Sequence, residues 1–244
     1  MVAPDARAAG EVAADLVAAV VQASPHPRIG LATGATMVGV YGALVERCRD
    51  GSLSFARTTA YLLDDYVGLD DRHPQAFRNV IRVSLADHVD LPTEALVAPN
   101  PNASDLDGEA RRYEEVVGSA HLDLQILGIG GNGHIAFNEP GSPLDSATRV
   151  VTLSEATRRA NARFFDSVDD VPRQAITQGI GTILRAEQIL LIALGPHKAA
   201  AVRDALEGPV TPEIPASALQ THPDVRVMLD PEAAAMLSQG TPLG

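Results

Sequence analysis

Short apolar runs alternate with longer helix-like stretches along almost the whole of this chain, and that alternation constrains the fold more than any other feature. The runs fall at 28–32, 58–63, 122–128, 149–153, 188–194 and 225–229. Their length suits strands, and their near-continuous apolar character suits strands covered on both faces. The intervening spacing predicts helices over 1–22, from the 33–36 loop to residue 49, over 75–88, over 104–118, from Ser154, over 173–186, over 197–207 and after residue 229. In the 75–88 segment Phe77, Val80, Ile81 and Leu85 share one helical face, and in 173–186 Gly179 and Gly181 suggest close packing against a neighbouring backbone. Alternating β and α elements with short connections imply a three-layer α/β fold: a mostly parallel, Rossmann-like open sheet with helices on both faces. No repeat or linker divides residues 1–244, so a single domain is expected. Ligands of such sheets bind beyond the carboxyl ends of the strands. The loops at 33–36, 64–66, 128–134 and 195–198 occupy that position.

One of those loops carries chemistry. Residues 128–142 read Gly-Ile-Gly-Gly-Asn-Gly-His-Ile-Ala-Phe-Asn-Glu-Pro-Gly-Ser. Its glycines leave a bare backbone that a ligand can approach, and His134 and Glu139 can move protons. Gly128, Gly130 and Gly133 spell the G-x-G-x-x-G of dinucleotide sites, but that motif must open a long helix. Here Pro140-Gly141 interrupts the chain soon after Gly133, and no acidic residue ends a clear second strand at the required distance. A nicotinamide or flavin site is therefore not expected. If the segment is extended, Ile135 and Phe137 enter the core and His134 faces away from them. Glu139 then has the wrong parity, and only a turn at Pro140-Gly141 can bring it beside the histidine.

The net charge is −12, without any basic tract, which argues against nucleic-acid and anionic-membrane partners. No apolar run reaches the length of a membrane span, and the first 22 residues carry charges unlike those of a signal peptide. Cys48 is the only cysteine, which fits an intracellular, cytoplasmic setting. Against the acidic background the cations of an anion site must be placed locally. The chain has 19 cationic side chains and only one is lysine, Lys198, where an apolar strand meets a helix. A compact ammonium at a helix N-terminus suits a phosphate. Thr33-Gly34-Ala35-Thr36 also joins a strand to a helix, either as a turn with a threonine N-cap or as a second phosphate contact. It lacks the Gly-Lys-Ser/Thr of a nucleotide-binding loop. Asp64 and Asp65 end an apolar strand and face opposite ways, so at most one points into a shared site. The seven histidines are scattered without metal-ligand spacing, and Gly-x-Ser-x-Gly is absent, so neither a metal centre nor a hydrolase serine is expected.

Taken together, six segments resemble the glucosamine-6-phosphate deaminase (glucosamine-6-phosphate isomerase) family, nearly end to end. They are Ala-Thr-Gly-Ala-Thr (32–36), Asp-Asp-Tyr-Val-Gly-Leu (64–69), the 128–142 run, Thr-Arg-Arg-Ala-Asn-Ala-Arg-Phe-Phe (157–165), Gly-Ile-Gly-Thr-Ile-Leu (179–184) and Ala-Leu-Glu-Gly-Pro-Val (205–210). The resemblance implies conversion of glucosamine 6-phosphate to fructose 6-phosphate and ammonia without a cofactor, in amino-sugar catabolism. It implies that His134, supported by Glu139, assists opening of the sugar ring, and that Asp64 moves the proton from C2 to C1. Arg163, Lys198 and Thr33, Gly34, Ala35 and Thr36 match the family's phosphate ligands. Residues 150–178 resemble its mobile lid. The implied partner is a small amino-sugar phosphate; monomer and homo-oligomer both remain open.

The chain departs from the family pattern in places. Asn132 stands where many members have an aspartate that orients the histidine. Asp65 replaces a glutamate, and Ala35 and Met37 replace a more polar residue and a proline. In members activated by N-acetylglucosamine 6-phosphate a lysine occupies the place of Val151 and a longer tail supplies a tyrosine, so little or no such activation is expected here, although Ser142 and Arg149 remain. Two other readings stay in view: a 6-phosphogluconolactonase-like hydrolase on a similar fold, and a non-catalytic sugar-phosphate sensor.

Overall fold

The computed structural model describes all of residues 1–244. In chain order the elements are α1 (Ala6–Ala23), β1 (Arg28–Leu31), α2 (Ala35–Arg49), β2 (Thr59–Leu62), β3 (Asp64–Tyr66), α3 (Phe77–Ser84), β4 (Leu96–Val97), α4 (Leu106–Ala120), β5 (Leu124–Gly128), β6 (Arg149–Thr152), α5 (Glu155–Asn161), β7 (Gln174–Thr177), α6 (Ile180–Ile183), β8 (Ile189–Ala193), α7 (Ala199–Glu207) and β9 (Val225–Leu229). Six strands form one sheet in the order β4-β2-β1-β5-β8-β9, with every neighbouring pair parallel. The chain therefore starts at the centre, moves outward through β2 to β4, then returns and moves outward the other way. This is the doubly wound order, with its switch point between β1 and β5. Crossovers between parallel strands are right-handed as a rule, so winding outward in both directions puts helices on both faces of the sheet.

Burial explains the apolar runs. All five residues of β8 are buried, as are Leu124 to Leu127 of β5, because helices cover the sheet on each side. Two helices begin where an aspartate accepts a first-turn amide: Asp5 from Ala8 at α1 and Asp105 from Gly108 at α4. No helix is long and apolar enough to cross a membrane.

A second, antiparallel sheet of three strands, β3-β7-β6, lies apart from the first. It corrects two expectations. Residues 64–66 are not a loop: the chain leaves the parallel sheet at Leu63 and pairs at once with β7. Nor is 173–186 one helix, since Gln174–Thr177 is a strand and only Ile180–Ile183 is helical. The strand forms because Ala175, Ile176 and Thr177 are all buried between neighbours. The glycines do pack against backbone: a Cβ on Gly179 would lie 2.0 Å from the Ser146 carbonyl oxygen. A further correction is at the C-terminus, where the expected helix after β9 is instead a series of turns. Asp230 organises their start by accepting the Ala233 amide at 2.8 Å, and it also holds the Gly195 amide.

The small sheet carries its own apolar cluster of Tyr66, Phe137, Leu153 and Ala175, joined by Phe77 and Phe165. Tyr66 packs at 4.9 Å from Phe77, 5.2 Å from Phe137 and 5.9 Å from Phe165 between ring centroids. Four of the nine aromatic residues (five Phe, four Tyr, no Trp) are thus gathered under the segment that follows β6.

Candidate active site

The loop after β5 starts at the switch point, and its conformation depends on glycine at two positions. Gly133 has φ +83, a region that suits glycine. Gly130 lies under the imidazole, where a Cβ would come within 2.2 Å of the His134 ring. The loop is not extended beyond His134. Ile135 and Asn138 close a turn, with Ala136 at φ +50. Ile135 and Phe137 are nevertheless buried, as expected, and the turn resolves the parity problem by swinging Glu139 back toward the histidine. The turn is held from below. Phe137 N–H donates to Thr177 Oγ1 at 3.2 Å, and buried Asn138 donates to the Ile135 and Gln178 carbonyls.

His134, Asn132 and Glu139 form a chain. Asn132 Nδ2 donates to Glu139 Oε2 at 2.9 Å, and Asn132 Oδ1 lies 2.6 Å from His134 Nδ1. A carboxylate only accepts, so the amide nitrogen must face Glu139 and the amide oxygen must face the ring. Nδ1 is then the protonated nitrogen of the neutral ring, and Nε2 is left free to take up a proton. Burial holds the imidazole below its usual pKa; Glu139 opposes that shift and the Lys198 ammonium adds to it. A neutral ring at neutral pH is what an acid–base group needs.

The two aspartates have separate fates. Asp65 is structural: it accepts the amides of Tyr66 and Phe77 at 2.8 Å and of Arg78 at 3.2 Å, and so holds the start of α3. The Asp64 side chain is buried and makes no hydrogen bond within the protein. Its pKa is pushed well above the usual carboxylate range by burial, with Asp65 adding to the shift. Asp64 pairs with Thr177 across the small sheet, and Thr177 also holds the 137 amide. Its strand is thereby fixed next to the histidine loop, although no hydrogen bond joins Asp64 to the relay. A buried carboxylate without donors is a stronger base than one in water.

The cations gather beside the same glycine loop. Lys198 ends the turn Pro196–Lys198 that precedes α7, and its Nζ donates to the Ile129 carbonyl at 2.7 Å. Burial lowers its pKa, and the nearby Arg163 guanidinium lowers it further, so the two charges share one region. Arg163 itself is exposed, 4.7 Å above the Phe164 ring. At the other loop Gly34, with φ +115, occupies the N-cap of α2, and no side chain caps this helix. The threonine cap is thus not formed, and the first amides of α2 stay available to an anion.

Two hydroxyls escaped the sequence reading. Ser154 and Thr157, on the first turn of α5, both donate to Glu139 Oε1. Their signal was present as a Ser-x-x-Thr pair at a helix start, which reads as ordinary capping until the tertiary fold brings it to Glu139. No three His, Cys, Asp or Glu side chains converge in the structure.

A doubly wound sheet with a hydrogen-bonded His134–Asn132–Glu139 chain and a half-buried lysine beside the loop at its switch point defines an α/β protein of the class that takes small ligands beyond its strand ends. More particularly, the chain belongs to the family of glucosamine-6-phosphate isomerases/6-phosphogluconolactonase, which it matches over residues 4–228. It is 46% identical over 235 residues to a glucosamine-6-phosphate deaminase of Arthrobacter sp. (strain FB24), covering 96% of this chain and 90% of that one. A deaminase of Corynebacterium kroppenstedtii is 50% identical over 210 residues, covering 86% and 81%. The solved structure of a monomeric glucosamine-6-phosphate deaminase superposes with a TM-score of 0.95 at 44% identity, covering 97% and 99%. The 6-phosphogluconolactonase of Trypanosoma cruzi shares the fold at a TM-score of 0.75, but only 19% of its sequence, over 98% and 96% of the two chains.

Proposed function

We propose that this enzyme converts glucosamine 6-phosphate and water to fructose 6-phosphate and ammonia. The observations that support this reading are a buried Asp64 side chain without hydrogen bonds, on a strand whose partner Thr177 also holds the Phe137 amide of the His134–Asn132–Glu139 loop, in a chain closely related to deaminases. Phosphate sits against Lys198, Arg163 and the Thr33, Gly34, Ala35 and Thr36 loop. His134 Nε2 takes the proton from the O1 hydroxyl and hands it to the ring oxygen as the C1–O5 bond breaks and the pyranose opens to the aldehyde. The C1 carbonyl acidifies C2–H, and Asp64 removes that proton to give an enolamine. Asp64 returns the proton to C1, which leaves an imine at C2. Water adds there, the C–N bond breaks, and ammonia leaves. Each step needs only a positioned acid or base.

The segment following β6 acts as a lid. Of residues 150–178, the ends 150–152 and 174–177 are strands of the small sheet, so the moving part is 154–172. Closure excludes water during the C2 proton transfer. Residence in the cytoplasm and a role in N-acetylglucosamine breakdown belong to the same proposal. Val151 packs against the aromatic cluster, where members activated by N-acetylglucosamine 6-phosphate carry a lysine. Kinetics are therefore expected to be hyperbolic and unchanged by that compound; a sigmoidal curve that it straightens would contradict this.

The direct test measures ammonium and fructose 6-phosphate released from glucosamine 6-phosphate, beside galactosamine 6-phosphate and 6-phosphogluconolactone. Stoichiometric release of both products supports the deaminase. Faster hydrolysis of the lactone would replace it.

A further inference from the structure

The two oxygens of Glu139 are held by two different parts of the molecule. Oε2 accepts from Asn132, on the histidine's own loop. Oε1 accepts from Thr157 and, at 3.4 Å, from Ser154, both on the lid helix α5. Ser154 is the N-cap of that helix, its Oγ accepting the Thr157 amide at 3.1 Å. Thr157 is 7% exposed and its neighbour Arg158 5%. Arg158 fastens α5 to the far side of the lid, donating to the Val171 and Val168 carbonyls at 3.2 and 2.7 Å. Phe165 seats the same segment on Tyr66 and stacks on His73. Thr157 reaches Glu139 only while this whole unit is docked.

We propose that Thr157 is a positioning residue for the reaction, completing the Glu139–Asn132–His134 relay only when the lid helix is seated. The proposal rests on the deaminase reading. Held at both oxygens, the Glu139 carboxylate is fixed in plane and fixes the Asn132 amide, which in turn keeps the proton of the neutral ring on His134 Nδ1. Released from Thr157, the carboxylate turns and the amide loses its fixed orientation, so both ring tautomers become populated. Lys198 lies outside this chain of bonds, and Arg163, although on the same segment as Thr157, keeps its place because Arg158 and Phe165 still fasten that segment. The loss therefore falls on ring opening, hence on kcat, and leaves KM nearly unchanged.

The test compares Thr157→Val, which keeps the shape and removes the donor, with Thr157→Ser, which keeps the donor. Each is made in the wild-type and Glu139→Ala backgrounds and assayed with glucosamine 6-phosphate. Thr157→Val should lower kcat roughly tenfold, the scale of one hydrogen bond to a charged group, with KM within about twofold. Serine should restore most of the rate, and valine should add no loss where Glu139 is already alanine. Equal losses in both backgrounds, a loss carried by KM, or no rescue by serine would overturn the proposal. Nitrogen NMR of the His134 ring gives a readout that needs no turnover. It should show Nδ1–H in the wild type and mixed tautomers in Thr157→Val, and identical spectra would overturn the coupling. A wild type with the expected tautomer but no ammonia release would instead refute the deaminase reading.

Discussion

Asp64 carries two opposed consequences of one burial. Its raised pKa means that ionisation is disfavoured in the folded state, so the carboxylate weakens the fold as pH rises through that value. Asp64→Asn removes the charge. Its melting temperature should exceed that of the wild type by a few degrees at neutral pH, with the gap closing below the ordinary value of 3.8, where both states carry a neutral carboxyl. The same variant should abolish exchange of the substrate's C2 hydrogen with solvent deuterium, and normal exchange would remove Asp64 from the proposed mechanism. In the wild type the acid limb of kcat/KM should lie above the usual carboxylate range. Lys198→Ala should act differently, raising KM at least tenfold with a smaller effect on kcat, because a phosphate remote from C2 contributes mainly uniform binding. Binding unaltered in that variant would place Lys198 outside the site. At this scale the sequence was informative for single side chains and poor for their pairings. Parity left a meeting of Glu139 with His134 open and dependent on the turn at Pro140-Gly141; the structure links the two through Asn132, after a four-residue turn that holds a left-handed alanine. The Asp64/Asp65 choice also needed the fold, because only tertiary structure brings the start of α3 onto Asp65.

Elements divide by where their pattern comes from. β1, β2, β5, β8 and β9 were legible because strands buried on both faces read as unbroken apolar runs. β7 was not legible, since Gln174 to Thr177 gains its strand state from pairing with β3 on one side and β6 on the other. The glycines at 179 and 181 were read correctly as close-approach positions but placed in the wrong element. The proposed lid is an element defined by fastenings more than by apolar contact. Arg158→Met, similar in length but without donors, should speed hydrogen exchange across 154–172 while exchange in β5 and β8 stays slow. Uniform acceleration over the whole chain would show that Arg158 supports the core and not the lid.

At the scale of the molecule, the doubly wound order follows from the alternation of elements, but the direction of each crossover does not appear in the sequence. Nor does the second sheet, which exists because the chain turns out of β2 at Leu63. The core also tolerates an imperfect group. Gln125 is fully buried in the central strand β5, where its amide lies over Gly30 and its Oε1 has no partner. Gln125→Met keeps the volume and removes an unsatisfied polar atom, so the melting temperature should rise by a few degrees, read by circular dichroism. A fall would show that the bond from its Nε2 to the Ile126 carbonyl, 2.9 Å, outweighs the orphaned oxygen. The lone lysine sets a practical limit on handling. Ester-activated dyes, biotin tags and aldehyde supports all seek primary amines, and here the single ε-amine borders the proposed phosphate pocket. Immobilisation through it should silence the catalyst, and a saturating oxyanion should shield it from the reagent.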